Sequence, residues 1–181
     1  VGNNTVTLIV KDASNNTATC TATVTIRDLI VPTASCKNIS VNLDNAGSVV
    51  ITPAMVDNGS SDNCGSVTLS LSKTSFDCTN RGTNTVTLTV TDTAGNASTC
   101  TATVTVNDIT PPVATCKNFT LVLNAASGIG VLNATDVNNG SSDNCGVVSY
   151  QISKDNSAFS NSLSYNCSDV GTKTVYLRVT D

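Results

Sequence analysis

Threonine alternates with aliphatic residues along much of this chain. In residues 83–92, TNTVTLTVTD, Val86, Leu88 and Val90 fall on one side and Thr85, Thr87, Thr89 and Thr91 on the other. Residues 98–108, STCTATVTVND, set Cys100, Ala102, Val104 and Val106 against another row of threonines. The pattern returns at Val6, Leu8 and Val10 and at Val175, Leu177 and Val179. A period of two with β-branched residues predicts half-buried antiparallel strands. No stretch carries a helical period, and Pro53-Ala54-Met55-Val56 predicts a single helical turn. Turn signals recur at 45–47, 58–60 and 93–96. Many short strands between such turns predict an all-β sandwich. Six strands are expected over 33–43, 48–52, 66–72, 74–78, 84–92 and 98–107. The outward threonines read as an ordinary solvent-facing sheet surface; a flat threonine array against ice or crystalline polysaccharide is the sharper alternative.

The alternation is itself repeated. Residues 92–118, DTAGNASTCTATVTVNDITPPVATCKN, echo residues 12–38, DASNNTATCTATVTIRDLIVPTASCKN. Cys20 and Cys100, Asp28 and Asp108, and Cys36 and Cys116 each lie 80 positions apart. Cys64 and Cys145 are 81 apart, and Cys78 and Cys167 are 89 apart. The extra residues between Cys145 and Cys167 leave their flanks in register, so a surface hairpin or loop should hold them. The phase divides the chain into 1–28, the last two strands of a preceding repeat; 29–108, a complete repeat; and 109–181, a next repeat lacking its last strand. It predicts a segment of a longer array.

Composition narrows the function. The 181 residues include 8 Cys, no His, no Trp and 3% aromatics. Cores made from Val, Leu, Ile and Ala in units this small need staples. The cysteines are dispersed and never form CxxC, which argues for disulfides in an oxidising compartment and against zinc. Net charge is −4 without a basic stripe, so nucleic acid is a poor partner. Without histidine, a Ser or Cys triad lacks its usual base, and no enzyme is expected. No long apolar run points to membrane contact in this segment.

NDITPPVATCKN, SSDNCG, the run around Phe76 before Gly82, and TNTVTLTVTDTAGNASTCTATVTV together resemble the hyalin repeat (HYR), an immunoglobulin-like module. The nearest likeness is to HYR-like arrays in large surface and secreted proteins of Bacteroidota, including gliding adhesins exported by the type IX system. The resemblance covers essentially the whole chain. One departure is Leu88, where such modules often carry a further cysteine. The resemblance implies tandem immunoglobulin-like β-sandwich modules of about 80 residues, at the cell surface or outside the cell, in a stalk or an adhesin.

Strand direction suggests the bridges. In this topology the first and last strands run parallel and start at the same end, so Cys36 and Cys100 should meet. Elimination then leaves Cys64–Cys78 and, in the next repeat, Cys145–Cys167. Cys20 and Cys116 would find partners in neighbouring repeats. Val31-Pro32 and Thr110-Pro111-Pro112 predict a stiff hinge, because proline fixes φ and forces the preceding residue into extended geometry.

Three loops should converge at the start of each repeat, each bringing an aspartate: Asp28, Asp62 and Asp92, then Asp108, Asp143 and Asp181. Three carboxylates with nearby carbonyls, aided by Asn63 or Asn96, suit calcium as a cofactor. Turn and strand-end stabilisation is the plainer account, and Asp57, whose counterpart is Asn138, shows that aspartates here need not bind metal. Asp92-Thr93-Ala94 matches a short bacterial O-glycosylation motif, making Thr93 a candidate glycan site. N-x-S/T sequons at Asn38, Asn96 and Asn118 arise readily in so Asn- and Thr-rich a chain. The reading is a rigid extracellular stalk or fibre whose partners are neighbouring repeats. A surface-polysaccharide adhesin, or a filament subunit that binds other copies of itself, are the alternatives.

Overall fold

The computed structural model describes residues 2–147 and 149–181. They are almost entirely strand and turn. The chain divides into two compact units. The first comprises Val1–Ser40, Val50–Ser75 and Thr83–Thr105, and the second Val41–Val49, Phe76–Gly82 and Val106–Asp181.

The first unit begins with a hairpin of β1 (Gly2–Lys11) and β2 (Thr17–Ile26), paired antiparallel so that Leu8 faces Cys20. Asp12 closes its turn by accepting from the backbone N–H groups of Ser14 and Asn16. Both strands are exposed along their whole length. Most of a four-stranded sheet lies in the same unit. Its order is β3-β8-β7-β5, from β3 (Ile39–Asn42), β5 (Thr68–Leu71), β7 (Gly82–Thr91) and β8 (Ala97–Asn107). Here the period-two pattern does its work. Val86, Leu88, Val90, Ala102 and Val104 are buried, and the threonines between them are part- or fully exposed. Pro53–Val56 forms one helical turn, led by proline where its missing N–H costs nothing. Residues 33–38 make isolated bridges at Thr33 and Cys36 instead of a continuous strand.

The second unit takes in most of a ladder between β4 (Ser48–Val50) and β6 (Ser75–Asp77). It also holds β9 (Gly130–Asn133) paired with β11 (Ser162–Tyr165), and β10 (Ser149–Ser153) paired with β12 (Tyr176–Thr180). Leu132, Ala134, Val137, Ile152 and Tyr165 form its core, with Leu121, Leu123, Leu163, Val175 and Leu177 packed around them. The extra residues after Cys145 form a tight turn between β10 and β11. The Asp155 carboxylate accepts there from Ser153 Oγ and Ser157 N, and Ile152 and Ser160 exchange backbone bonds.

Two disulfides are present. Cys36 bonds Cys100 within the first unit, with Cα atoms 5.9 Å apart. Cys78 bonds Cys145 within the second, with Cα atoms 5.2 Å apart. The second bond corrects the pairing reached by elimination: neither Cys64–Cys78 nor Cys145–Cys167 forms, and Cys64 and Cys167 are free and exposed, as are Cys20 and Cys116. The physical reason lies in the turn at residues 44–48. Gly47 has φ +73°, and a Cβ there would come within 2.6 Å of Cys78 Sγ and 3.0 Å of Asn144 O. Only glycine leaves room for this close approach. Asn144 Nδ2 also donates to Asp44 O at 3.1 Å, which holds the 143–145 loop against that turn.

Candidate functional site

The aspartates named from the sequence divide into two groups. Asp108, Asp143 and Asp181 each offer a carboxylate oxygen within 4.8 Å of the others. Asp28 and Asp62 come together in the same way, but their third member is Cys64, not Asp92. The reason is local. The Asp92 carboxylate is taken up by its own turn, accepting from Ala94 N at 2.9 Å, Asn96 N at 2.8 Å and Asn96 Nδ2 at 2.8 Å. Burial opposes ionisation of Asp92, but the hydrogen bonds from Asn96 and Ala94 outweigh it and hold the carboxyl below its ordinary range. Asn96 Nδ2 also reaches the carbonyls of Asp28 and Ile30. Asn96 therefore fastens the turn to the segment around Asp28 through its amide nitrogen.

The paired aspartates are incompletely satisfied. Asp143 Oδ2 accepts from Cys145 N at 2.7 Å, and Asp62 Oδ2 accepts from Cys64 N at 2.8 Å. The other oxygens, Asp143 Oδ1 and Asp62 Oδ1, are buried without a hydrogen-bond partner, as is Asp108 Oδ2. Buried carboxylate oxygens left unpaired cost free energy, and a hard cation with oxygen ligands satisfies such atoms. Arg81 Nη1 stands 3.7 Å from Asp108 Oδ2 and supplies positive charge at that position. In the first group Asp28 accepts from the Cys64 thiol. That bond, followed by burial and by the charges of Asp28 and Asp62, pushes the thiol pKa up.

Thr93 is exposed in the turn between β7 and β8. The sequence drew no attention to a cleft of about 780 Å³ in the second unit, lined by Cys116, Phe119, Leu121, Leu123, Tyr165 and Val175 among others. Its signal was present nonetheless. Residues 119–123 are the sequence counterparts of β3, yet they form no strand. β12, the counterpart of the end of β7, pairs only with β10 among the described residues.

No helix among the described residues is long and apolar enough to cross a membrane. No family model matches the chain, and no curated protein matches it. Among solved structures it is similar to the human desmocollin-1 ectodomain, at 12% identity and a TM-score of 0.33. That match covers 98% of this chain, which spans 43% of the ectodomain. So slight a likeness carries no weight for function. Fold and bonding define the class: an all-β, disulfide-stapled protein of several small sheets.

Proposed function

We propose that the chain is a structural segment of an extracellular protein, a rigid spacer or stalk built from tandem β-sandwich repeats. The complete repeat is 29–108, with the end of one repeat before it and the start of another after it. The observation that carries this reading is the Cys78–Cys145 disulfide. On the repeat phase it ties the repeat at 29–108 to the one after it, which is what a spacer transmitting force or holding distance requires. Pro111 and Pro112 stiffen the connecting segment. Two disulfides also suit an oxidising compartment. The HYR-like motifs support a role as part of a surface or secreted adhesin, with Thr93 as a glycan acceptor; intact mass of native protein without added hexose removes that last assignment.

Solution scattering tests the spacer. The oxidised chain is expected to fit a narrow distribution of shapes, and the Cys78→Ser/Cys145→Ser variant a broader one. An oxidised chain that fits only a broad distribution of bend angles refutes a rigid spacer.

Calcium at the Asp108–Asp143 and Asp28–Asp62 pairs belongs to the same reading, since it satisfies their unpaired oxygens and stiffens the start of each repeat. Thermal unfolding with calcium and with chelator is the measurement. With free calcium at a hundredfold Kd, one site contributes about 2.7 kcal/mol. Asp108→Asn should remove the part of the shift that belongs to its site. Identical melting curves with and without calcium dispose of the metal and leave Arg81 as the charge partner of Asp108.

A further inference from the structure

The dipeptide Asn-Gly occurs twice, at Asn58-Gly59 and Asn139-Gly140, in matching loops. The runs are DNGSSDNCG at 57–65 and NNGSSDNCG at 138–146, which differ only in Asp57 against Asn138. Both loops are fastened to the start of their repeat in the same way. Asn58 N donates to Ser35 O and Asn139 N to Thr115 O, each at 2.9 Å. Thr33 and Ser61 exchange backbone bonds, and so do Val113 and Ser142. Asn58, Gly59, Asn139 and Gly140 are all exposed. Gly59 and Gly140 lie at φ +85° and +79°, and a Cβ on either would meet nothing within 4 Å. A glycine nitrogen has no side chain beside it to keep the preceding asparagine amide away. Both pairs are therefore open to cyclisation, in which that nitrogen attacks the amide carbon.

The two loops differ in what holds the reacting groups. Gly59 N donates to Asp57 Oδ2 at 3.2 Å, and Asn58 Nδ2 donates to Ser35 Oγ at 3.4 Å. Asn138 carries an amide where Asp57 carries a carboxylate, and its Oδ1 accepts from Ser141 N and Ser141 Oγ. Gly140 N and the Asn139 side chain have no hydrogen-bond partner among the described residues. Attack requires the glycine N–H to lose its proton. A carboxylate bonded to that N–H opposes the loss, because it holds the neutral form and disfavours a second negative charge beside it. Asp57 is also a poor base for the proton, since the bonds from Ser60 hold its carboxyl below its ordinary range.

We propose that Asn139 is a self-modification site, converting to aspartyl and isoaspartyl residues in the folded protein, and that Asp57 protects Asn58 from the same reaction. Gly140 N, its proton lost to solvent base, attacks Cγ of Asn139. The Cγ–Nδ2 bond breaks, and the amide nitrogen takes a proton from water and leaves as ammonia. Water then opens the cyclic imide at either carbonyl, giving aspartate or isoaspartate. Nothing is oxidised or reduced. Isoaspartate carries an extra methylene in the main chain. It lies between the bond from Asn139 N to Thr115 O and the pair joining Ser142 to Val113, and puts them out of register. Those bonds fasten the segment just after Pro111 and Pro112, so the reaction loosens the start of the repeat at 109–181. Residues 33–37, fastened by the protected loop, keep their hold. The reaction goes beyond the spacer reading and does not depend on it.

The test is ageing of the oxidised chain at neutral pH, followed by peptide mapping with mass spectrometry that separates aspartate from isoaspartate. Asn139 is expected to deamidate about tenfold faster than Asn58, the factor that one hydrogen bond of ordinary strength accounts for. In the reduced, urea-unfolded chain the two should react at nearly equal rates, because only the hydrogen bonds of the folded loops separate them. Asp57→Asn should raise the Asn58 rate towards that of Asn139, and Asn138→Asp should lower the Asn139 rate. In aged protein, hydrogen exchange should quicken at Val113 and Ser142 while Thr33 and Ser61 keep their protection. Equal rates in the folded chain, an Asn139 that stays intact, or the same ratio in the unfolded chain would each overturn the inference. So would an Asp57→Asn variant that slows Asn58, since Asp57 would then be acting as a base. Unchanged exchange at Val113 in the isoaspartyl fraction would overturn the loosening.

Discussion

Replacing Cys36 and Cys100 together by serine is expected to destabilise the first unit by about 4 kcal/mol, on the chain-entropy account of a loop this long. The two cysteines are 64 positions apart. Their bond forbids the unfolded chain most of its freedom to separate the segment before β3 from β8. Small domains have only a few kcal/mol in hand, so the sheet built on Val86, Leu88, Val104 and their neighbours should lose cooperative unfolding or melt far earlier. Denaturant unfolding of the oxidised parent and the double-serine variant measures the difference. A change below about 1 kcal/mol would mean that packing alone holds this unit and that the staple is dispensable. Reduction of the parent should cost more than the variant, because it also breaks Cys78–Cys145.

Leu88→Ala is expected to cost about 3 kcal/mol, whereas Leu8→Ala should stay within about 0.5 kcal/mol. The two leucines occupy the same place in the same motif, 80 positions apart. Leu88 is fully buried and Leu8 is 59% exposed. Removing Leu88 leaves a cavity in the sheet face as well as losing the transfer of its side chain from water; removing Leu8 leaves neither. The measurement is again denaturant unfolding of both variants at unchanged m-value. Equal losses would show that the β1–β2 hairpin is covered in solution.

The long strands β7 and β8 were legible in the sequence. Alternation at Val86, Leu88 and Val90, and at Ala102, Val104 and Val106, is a local property, and a strand expresses it wherever one face is covered. The proline-led turn at Pro53 and the tight turn at Asp92 were legible for the same reason: each depends on residues within a few positions of itself. The identity of the covered face was not. β1 and β7 carry nearly the same residues, yet one hairpin is bare and the other buried, because burial is supplied by other segments. The third member of the first cluster, Cys64 in place of Asp92, also lay beyond the sequence. Asp92 was expected beside Asp28 and Asp62, but Ala94 and Asn96 claim its carboxylate. The bridge at Cys78 was decided by tertiary structure alone. In a repeating sequence, each cysteine has equally spaced candidates in its own repeat and in the next. What chose Cys145 was space: a glycine at position 47 without a Cβ, and Asn144 hydrogen-bonded across to Asp44.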